Sequence, residues 1–373
     1  MANLLTRPTE ANLAGAITPA RRRAPRIALA GVSGYAGGEL ARLLLHHPAL
    51  AGTTPTFFGR TEEEETASSI LLEDLHPQLS SSAPSHAVHP FSWSRIADAG
   101  AEVLFLATPH EQSREWAPQA LVNGIKVIDL SGAWRLHDAH NRQIYRLKDA
   151  DPDLAATFQA EAVYGCPELH RDAIRGARLI ANPGCYATSI ILALAPLLQA
   201  GLVDLDHGIV CDAKSGVSGA GKATTAKTHF MYAADNLSTY AVFGHRHTGE
   251  LLEQLHLSED QIQFTPHLLP IPRGILSTIY LRLNRRAAPS EIDTVLRSFY
   301  QSSPMVRLRP SSHLPDIQHV VRTSFCDIGF ALAADGKRLI MVSCLDNLLK
   351  GAASQAVQNL NLICGWNEEE GLL

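Results

Sequence analysis

A short apolar run, Ile27–Ala30, passes directly into Gly31-Val32-Ser33-Gly34-Tyr35-Ala36-Gly37 and then into a helical pattern over Gly38–His47. Three glycines spaced by three, set between a strand and a helix, leave few folds open. They permit a tight turn and let the backbone approach an anion at the positive end of the helix, which is how a βαβ unit holds a dinucleotide pyrophosphate. Gly31, Ser33, Gly34, Tyr35 and Gly37 are therefore candidate cofactor contacts. Thr56–Phe58 reads as the next strand, and the second position expected to touch the cofactor lies at its end. An NAD site would place Asp or Glu there, whereas this chain reads Phe57-Phe58-Gly59-Arg60. An arginine pairs with a 2′-phosphate, so Arg60 favours NADP, with Glu62 close by.

The strand and helix rhythm breaks over the polar stretch Thr61–His89, which includes the acidic run Glu62–Glu65. It resumes with strand Glu102–Ala107, helix Trp116–Asn123 and strand Lys126–Leu130, and Arg178–Ala181 closes the set. Beyond Pro183 the strands lengthen and tend towards period two, at Ile275–Leu283, Phe325–Leu332 and Arg338–Leu345. The latter two are joined by the hairpin signal Asp335-Gly336. Helices are expected at Ala187–Gln199, Ser290–Tyr300 and Gly351–Leu362, the first apolar enough to be buried on most sides. The expected fold is α/β: a Rossmann-type NADP-binding domain and an α+β catalytic domain with a mixed or antiparallel sheet. The chain divides into an N-terminal extension (1–25) expected to be disordered, the nucleotide domain (26–183), a catalytic and dimerisation domain (184–345) and a C-terminal segment (346–373).

At 373 residues and 46% hydrophobic the chain is long enough for two cores. A net charge of −5 with mixed signs provides no broad basic field for nucleic acid or anionic lipid. No apolar stretch nears the roughly 20 residues that cross a bilayer. Neither nucleic acid nor membrane is expected as a partner, and the expected compartment is the cytoplasm. The six cysteines lack CxxC spacing, so neither zinc site nor disulfide framework is expected.

One cysteine stands apart. Asn182-Pro183-Gly184-Cys185 ends a strand and opens the apolar helix, placing the Cys185 sulfur at a helix N-terminus, where the dipole lowers a thiol pKa. A nucleophilic thiol needs a base and an anion site. His245 and His247 flank Arg246, and Lys214–Lys222 is a glycine-rich, twice-basic loop suited to oxyanions. Spaced two apart, the histidines share a side if extended and diverge if helical. Together these features imply a thiol-dependent dehydrogenase or reductase acting on a small-molecule acyl phosphate; spacing and composition do not identify the acyl group.

The motifs GVSGYAGGEL (31–40), DLSGAWRL (129–136), YGCPEL (164–169), NPGCYAT (182–188), SGVSGAGK (215–222), HRH (245–247), PIPRGILST (270–278) and DNLLKGAASQAVQN (346–359) resemble the N-acetyl-gamma-glutamyl-phosphate reductases, in the wider group that includes aspartate-semialdehyde dehydrogenase. The resemblance runs from Arg26 to Trp366. It implies that Cys185 is the nucleophile, with His247 preferred to His245 as acid and base. Further cofactor contacts are implied at Thr108, Pro109, His110, Ser215, Gly216 and Asn347, and substrate contacts at Arg135, Lys214, Ser218 and Arg246. It also implies a C-terminal helix returning to the first domain, no metal, and a homodimer or homotetramer. The pattern departs from the family at Cys166, where Leu is common, at Gly132-Ala133-Trp134, where Ala-Asp-Phe is usual, and at Gly249, where Pro is frequent. Competing substrates are carrier-linked aminoadipyl or glutamyl phosphates and aspartyl phosphate; a reading of another class is an inert NADP-binding regulatory protein.

Overall fold

A computed structural model of the chain describes residues 23–61, 70–80 and 85–373. Most of the N-terminal extension and the run Glu62–Glu65 lie outside the described residues, as does the side chain of Arg60. The first sheet holds, in spatial order, Ile70–Leu71, Ala87–Phe91, Thr56–Thr61, Ile27–Ala30, Val103–Leu106, Lys126–Asp129, Leu179–Ala181 and Val163–Tyr164. All neighbours are parallel except the first pair. Ile27–Ala30 is buried along its whole length, as a parallel strand covered on both faces must be. The chain leaves it towards Thr56–Thr61 on one side and later returns to Val103–Leu106 on the other. The strand order therefore reverses beside Gly31, where open α/β sheets bind ligands.

Several elements differ from expectation. The stretch Thr61–His89 is not an interruption: its described residues include a helix, Leu72–Leu75, the edge strand Ile70–Leu71 and the start of the strand next to it, Ala87–Phe91. Their shortness, and the His and Pro in Ala-Val-His-Pro-Phe, conceal the alternation. The first helix starts at Tyr35, and the one expected from Trp116 starts at His110 and carries Pro118. Leu179–Ala181 comes last in the chain, but Val163–Tyr164 lies outside it at the sheet edge.

The second sheet is mixed and seven-stranded, ordered Ser238–Thr239, Ile262–Leu269, Ile209–Gly216, Ile275–Arg282, Arg338–Leu345, Cys326–Leu332 and Val306–Leu308. Ile209–Gly216 and Ile262–Leu269 escaped the sequence reading, the former because its last three residues looked like part of the glycine loop. One face packs against the buried helix Cys185–Gln199, with Ile190, Leu194, Cys211, Ile279 and Met341 in one core. The other face leaves Val210 and Tyr280 exposed.

Ser354–Cys364 returns to the first sheet, where Ala356, Val357 and Leu360 join the core of Leu29, Leu40 and Phe105. It is entered through one π-helical turn, Leu349–Ala353, a feature that often marks a functional site. Lys350 in this turn is completely buried, donating to Glu168 at 2.8 Å and Gln358 at 2.6 Å.

Candidate active site

Glycines shape both halves of the site. Gly31 sits at φ +83°, and a Cβ there would come within 2.3 Å of the Ala107 carbonyl; one at Gly37 would come equally close to the Gly31 carbonyl. Gly34 caps the helix, with Tyr35 as its first residue and no acidic side chain in the first turn. This is a bare, positive cradle that fits a pyrophosphate. Lys222 reaches it from the second sheet, its Nζ 3.2 Å from the Ser33 carbonyl.

Around the thiol, a Cβ at Gly184 would come 2.4 Å from His247 Nε2, and one at Gly351 would come 2.7 Å from the Cβ of Cys185. Gly184 thus packs against the His247 imidazole and Cys185 against the π-turn, in spaces that only glycine leaves open. A cavity of about 350 Å³ is lined by Cys185, Ser215, Tyr240, His245, Arg246 and His247, among others. His247 caps the helix Thr248–Leu255 and its backbone N–H donates to His245 Nδ1 at 3.1 Å; the two rings lie 4.6 Å apart and both face the cavity. Tyr240 Oη lies 3.5 Å from His245 Nε2.

The electrostatics reverse one expectation. The helix N-terminus does not leave the Cys185 thiol acidic: burial pushes its pKa up, and the Tyr186 backbone N–H, Arg135 and Arg246 only partly oppose this. Burial and the neighbouring Arg246 hold His245 down at about 4, and burial with His245 and the arginines holds His247 well below its usual value. The resting pair is a neutral thiol beside a neutral imidazole able to accept its proton. In ligand-free protein, alkylation of Cys185 by a neutral haloacetamide should therefore keep rising with pH and level off only above pH 9. A plateau reached below pH 7 would instead mean a preformed thiolate.

The remaining candidates separate into those the structure brings to the cavity and those it does not. Ser215 and Arg246 line it, and Gly216 abuts the backbone of Ile271 and Arg273. His110, after Thr108 and Pro109 at its helix start, accepts from the Gly132 N–H at 2.8 Å and faces Arg246 Nη1 at 2.9 Å. Burial and the arginines lower its pKa to about 4, and because Nδ1 already accepts from Gly132 the neutral ring carries its one hydrogen on Nε2, so the approach to Arg246 is a close contact between two donors. Asn347 accepts from the Gly274 N–H and donates to Ser218, joining the glycine loop to the C-terminal segment. Arg135, by contrast, is built into the framework. Its nitrogens donate to the carbonyls of Asn182 and Leu130 and to Glu250. Lys214 alternates away from Ser215 on its strand and pairs with Asp212 at 2.6 Å, outside the cavity lining. Sequence reasoning assigned no role to Tyr240, Gly351 or Glu250; for Glu250 the available signal was its place one helical turn after His247.

Among the described residues no group of His, Cys, Asp or Glu is placed to hold a metal, and no helix is long and apolar enough to cross a membrane.

Two family models match the chain: the semialdehyde dehydrogenase NAD binding domain over residues 26–177, and the semialdehyde dehydrogenase dimerisation domain over residues 185–347. The chain is 41% identical over 353 residues to an N-acetyl-gamma-glutamyl-phosphate reductase of Desulforapulum autotrophicum, covering 93% of this chain and 97% of that one. It is likewise 41% identical over 357 residues to the enzyme of that name from Symbiobacterium thermophilum, at the same coverage. Among solved structures, aspartate semialdehyde dehydrogenase II from Vibrio cholerae shares the fold with a TM-score of 0.66 at 17% identity, over 91% of this chain and 98% of that one.

Proposed function

The chain belongs to the semialdehyde dehydrogenase family, among the N-acetyl-gamma-glutamyl-phosphate reductases, and on that premise we propose that it converts N-acetyl-L-glutamyl 5-phosphate to N-acetyl-L-glutamate 5-semialdehyde and phosphate, a step of arginine biosynthesis. The observation that carries this reading is that Cys185, presented by the turn at Gly184 that packs on His247, lines one cavity together with that imidazole.

His247 Nε2 takes the thiol proton as the sulfur attacks the acyl carbon, and collapse of the tetrahedral adduct expels phosphate and leaves a thioester on Cys185. Gly31, Ser33, Gly34, Tyr35 and Gly37, with Thr108, Pro109, Ser215, Gly216 and Asn347 nearby, would hold a nicotinamide dinucleotide, which would supply the hydride chemistry for reducing this thioester. His247 returns its proton to the oxygen of the resulting thiohemiacetal. It then recovers that proton as the carbon–sulfur bond breaks and passes it to the departing sulfur, giving the aldehyde and regenerating both the thiol and the neutral imidazole. His245 holds His247 by accepting its backbone N–H, and Arg246 faces the substrate's anionic groups with Ser218 at the adjoining loop.

NADP is the proposed form of the cofactor, supported by Arg60 at the end of the second parallel strand. Arg60→Ala should weaken NADPH by about 1.5–3 kcal/mol, roughly 10- to 150-fold, with little change for NADH; titrations showing equal preference before and after would remove Arg60 from the 2′-phosphate. The division into domains at 183/184 and 345/346 is supported by the two separate sheets. A homodimer across the face bearing Val210 and Tyr280 is the proposed assembly, supported by the exposure of those side chains. Six free cysteines favour a reducing compartment, so the proposed location is the cytoplasm. The test is phosphate-dependent reduction of NADP⁺ with N-acetylglutamate semialdehyde against aspartate semialdehyde. Preference for the former supports the assignment; preference for the latter overturns it, and no turnover with either would favour an inert binding protein.

A further inference from the structure

Glu250 is a carboxylate near the thiol with no surface exposed, yet the reaction above gives it no part. Its Oε2 accepts from Tyr164 Oη at 2.7 Å and from the Gly184 N–H at 2.9 Å, while Oε1 accepts from Arg135 Nη1 at 3.1 Å. Oε1 also lies 4.0 Å from His247 Nε2, beyond hydrogen-bonding reach but within the range where an opposite charge stabilises an imidazolium. Three segments far apart in sequence therefore converge on one side chain: the edge strand Val163–Tyr164, the turn that presents Cys185, and the loop of Arg135. A buried charge with three donors is costly to misplace, so each of these segments is tied to the helix that begins at His247.

We infer that Glu250 is a positioning residue for the reaction: its carboxylate pins the Gly184–Cys185 turn against the His247 imidazole and provides the negative charge beside that imidazole once it holds the thiol proton. The inference rests on the roles proposed above for Cys185 and His247. In the step concerned, the S–H bond of Cys185 breaks and an N–H bond forms at His247 Nε2, with no change in oxidation state. The titratable and charged groups facing the thiol and imidazole are Arg135, Arg246, His110, His245, Tyr186, Tyr240 and Glu250 itself. Of these, Glu250 opposes thiolate formation in the resting protein while the two arginines favour it. The same carboxylate thus adds to burial in keeping the sulfur protonated at rest and favours the imidazolium when the proton moves.

The full-length protein carrying Glu250→Gln, which preserves shape and removes the charge, separates this role from a structural one. Expected are a fall in kcat of about 10- to 100-fold with KM little changed, and a haloacetamide alkylation profile of Cys185 displaced to lower pH. Tyr164→Phe keeps the charge and removes one anchor, so kcat should fall while the alkylation profile stays in place. A Glu250→Gln protein with unaltered kcat, or one whose kcat falls with an unmoved alkylation profile, would overturn the inference. If Glu250→Gln does not fold, an unchanged kcat in Tyr164→Phe overturns it. Because alkylation needs no substrate, a failed substrate assignment would leave the displaced profile intact and so be distinguishable.

Discussion

Cys185→Ser is expected to abolish semialdehyde oxidation and acyl phosphate reduction, by at least about three orders of magnitude in kcat, while NADPH binds nearly as before. The substitution removes one sulfur and replaces it with a hydroxyl that the neutral His247 cannot deprotonate to a useful extent. The dinucleotide cradle is untouched, because it is built from Gly31, Gly34 and Gly37 on the first sheet and none of these contacts the thiol turn. Kinetic assay and fluorescence titration of NADPH on one preparation check both halves. Parallel loss of turnover and binding would mean that Cys185 holds the cleft together rather than reacting in it.

The second large effect concerns stability. Lys350 and Glu168 are both fully buried and 2.8 Å apart, and Gln358 bridges them while also donating to Glu368, which pairs with Arg171. Burial alone would raise the Glu168 pKa, yet Lys350 and the hydrogen bonds around it hold the carboxylate below its ordinary value. Lys350→Ala strands that charge in the core and should cost about 3–5 kcal/mol at neutral pH. That corresponds to a melting midpoint lower by roughly 5–10 °C. The double variant Lys350→Met with Glu168→Gln removes both charges and should recover most of the loss. Because the folded-state pKa of Glu168 is depressed, the pair's contribution is present above the ordinary carboxylate range and fades as acid protonates Glu168. The wild-type advantage over the double variant should shrink accordingly. A single variant as stable as wild type would show that water reaches the pair.

Such buried networks mark the limit of what the chain discloses before it folds. The glycine turn after Ile27–Ala30 and the helix opening at Cys185 were legible because local chemistry alone demands them: a positive φ at Gly31, close approach at Gly37, and a helix apolar on nearly every side. Short strands such as Ala87–Phe91 were not legible, since five residues containing His and Pro carry no period until neighbours pair with them. Nor could spacing show that Arg135 spends its donors on the backbone of Asn182 and Leu130, or that Lys214 turns towards Asp212. Those outcomes depend on segments that meet only in the folded molecule. The thiol is the sharpest instance. Its position at a helix N-terminus was readable, but the desolvation that outweighs the dipole comes from surroundings assembled by residues scattered from Ile144 to Leu268.

In the proposed reaction the acyl group passes through Cys185. Mixing the protein with N-acetylglutamate semialdehyde and NADP⁺ in the absence of phosphate isolates that intermediate, because the thioester then has no phosphate to leave with. The account predicts a burst of one NADPH per active site and a matching mass increase, equal to one acetylglutamyl group, on the peptide containing Cys185. NADPH formation with no added mass, or with the mass on another residue, would contradict it.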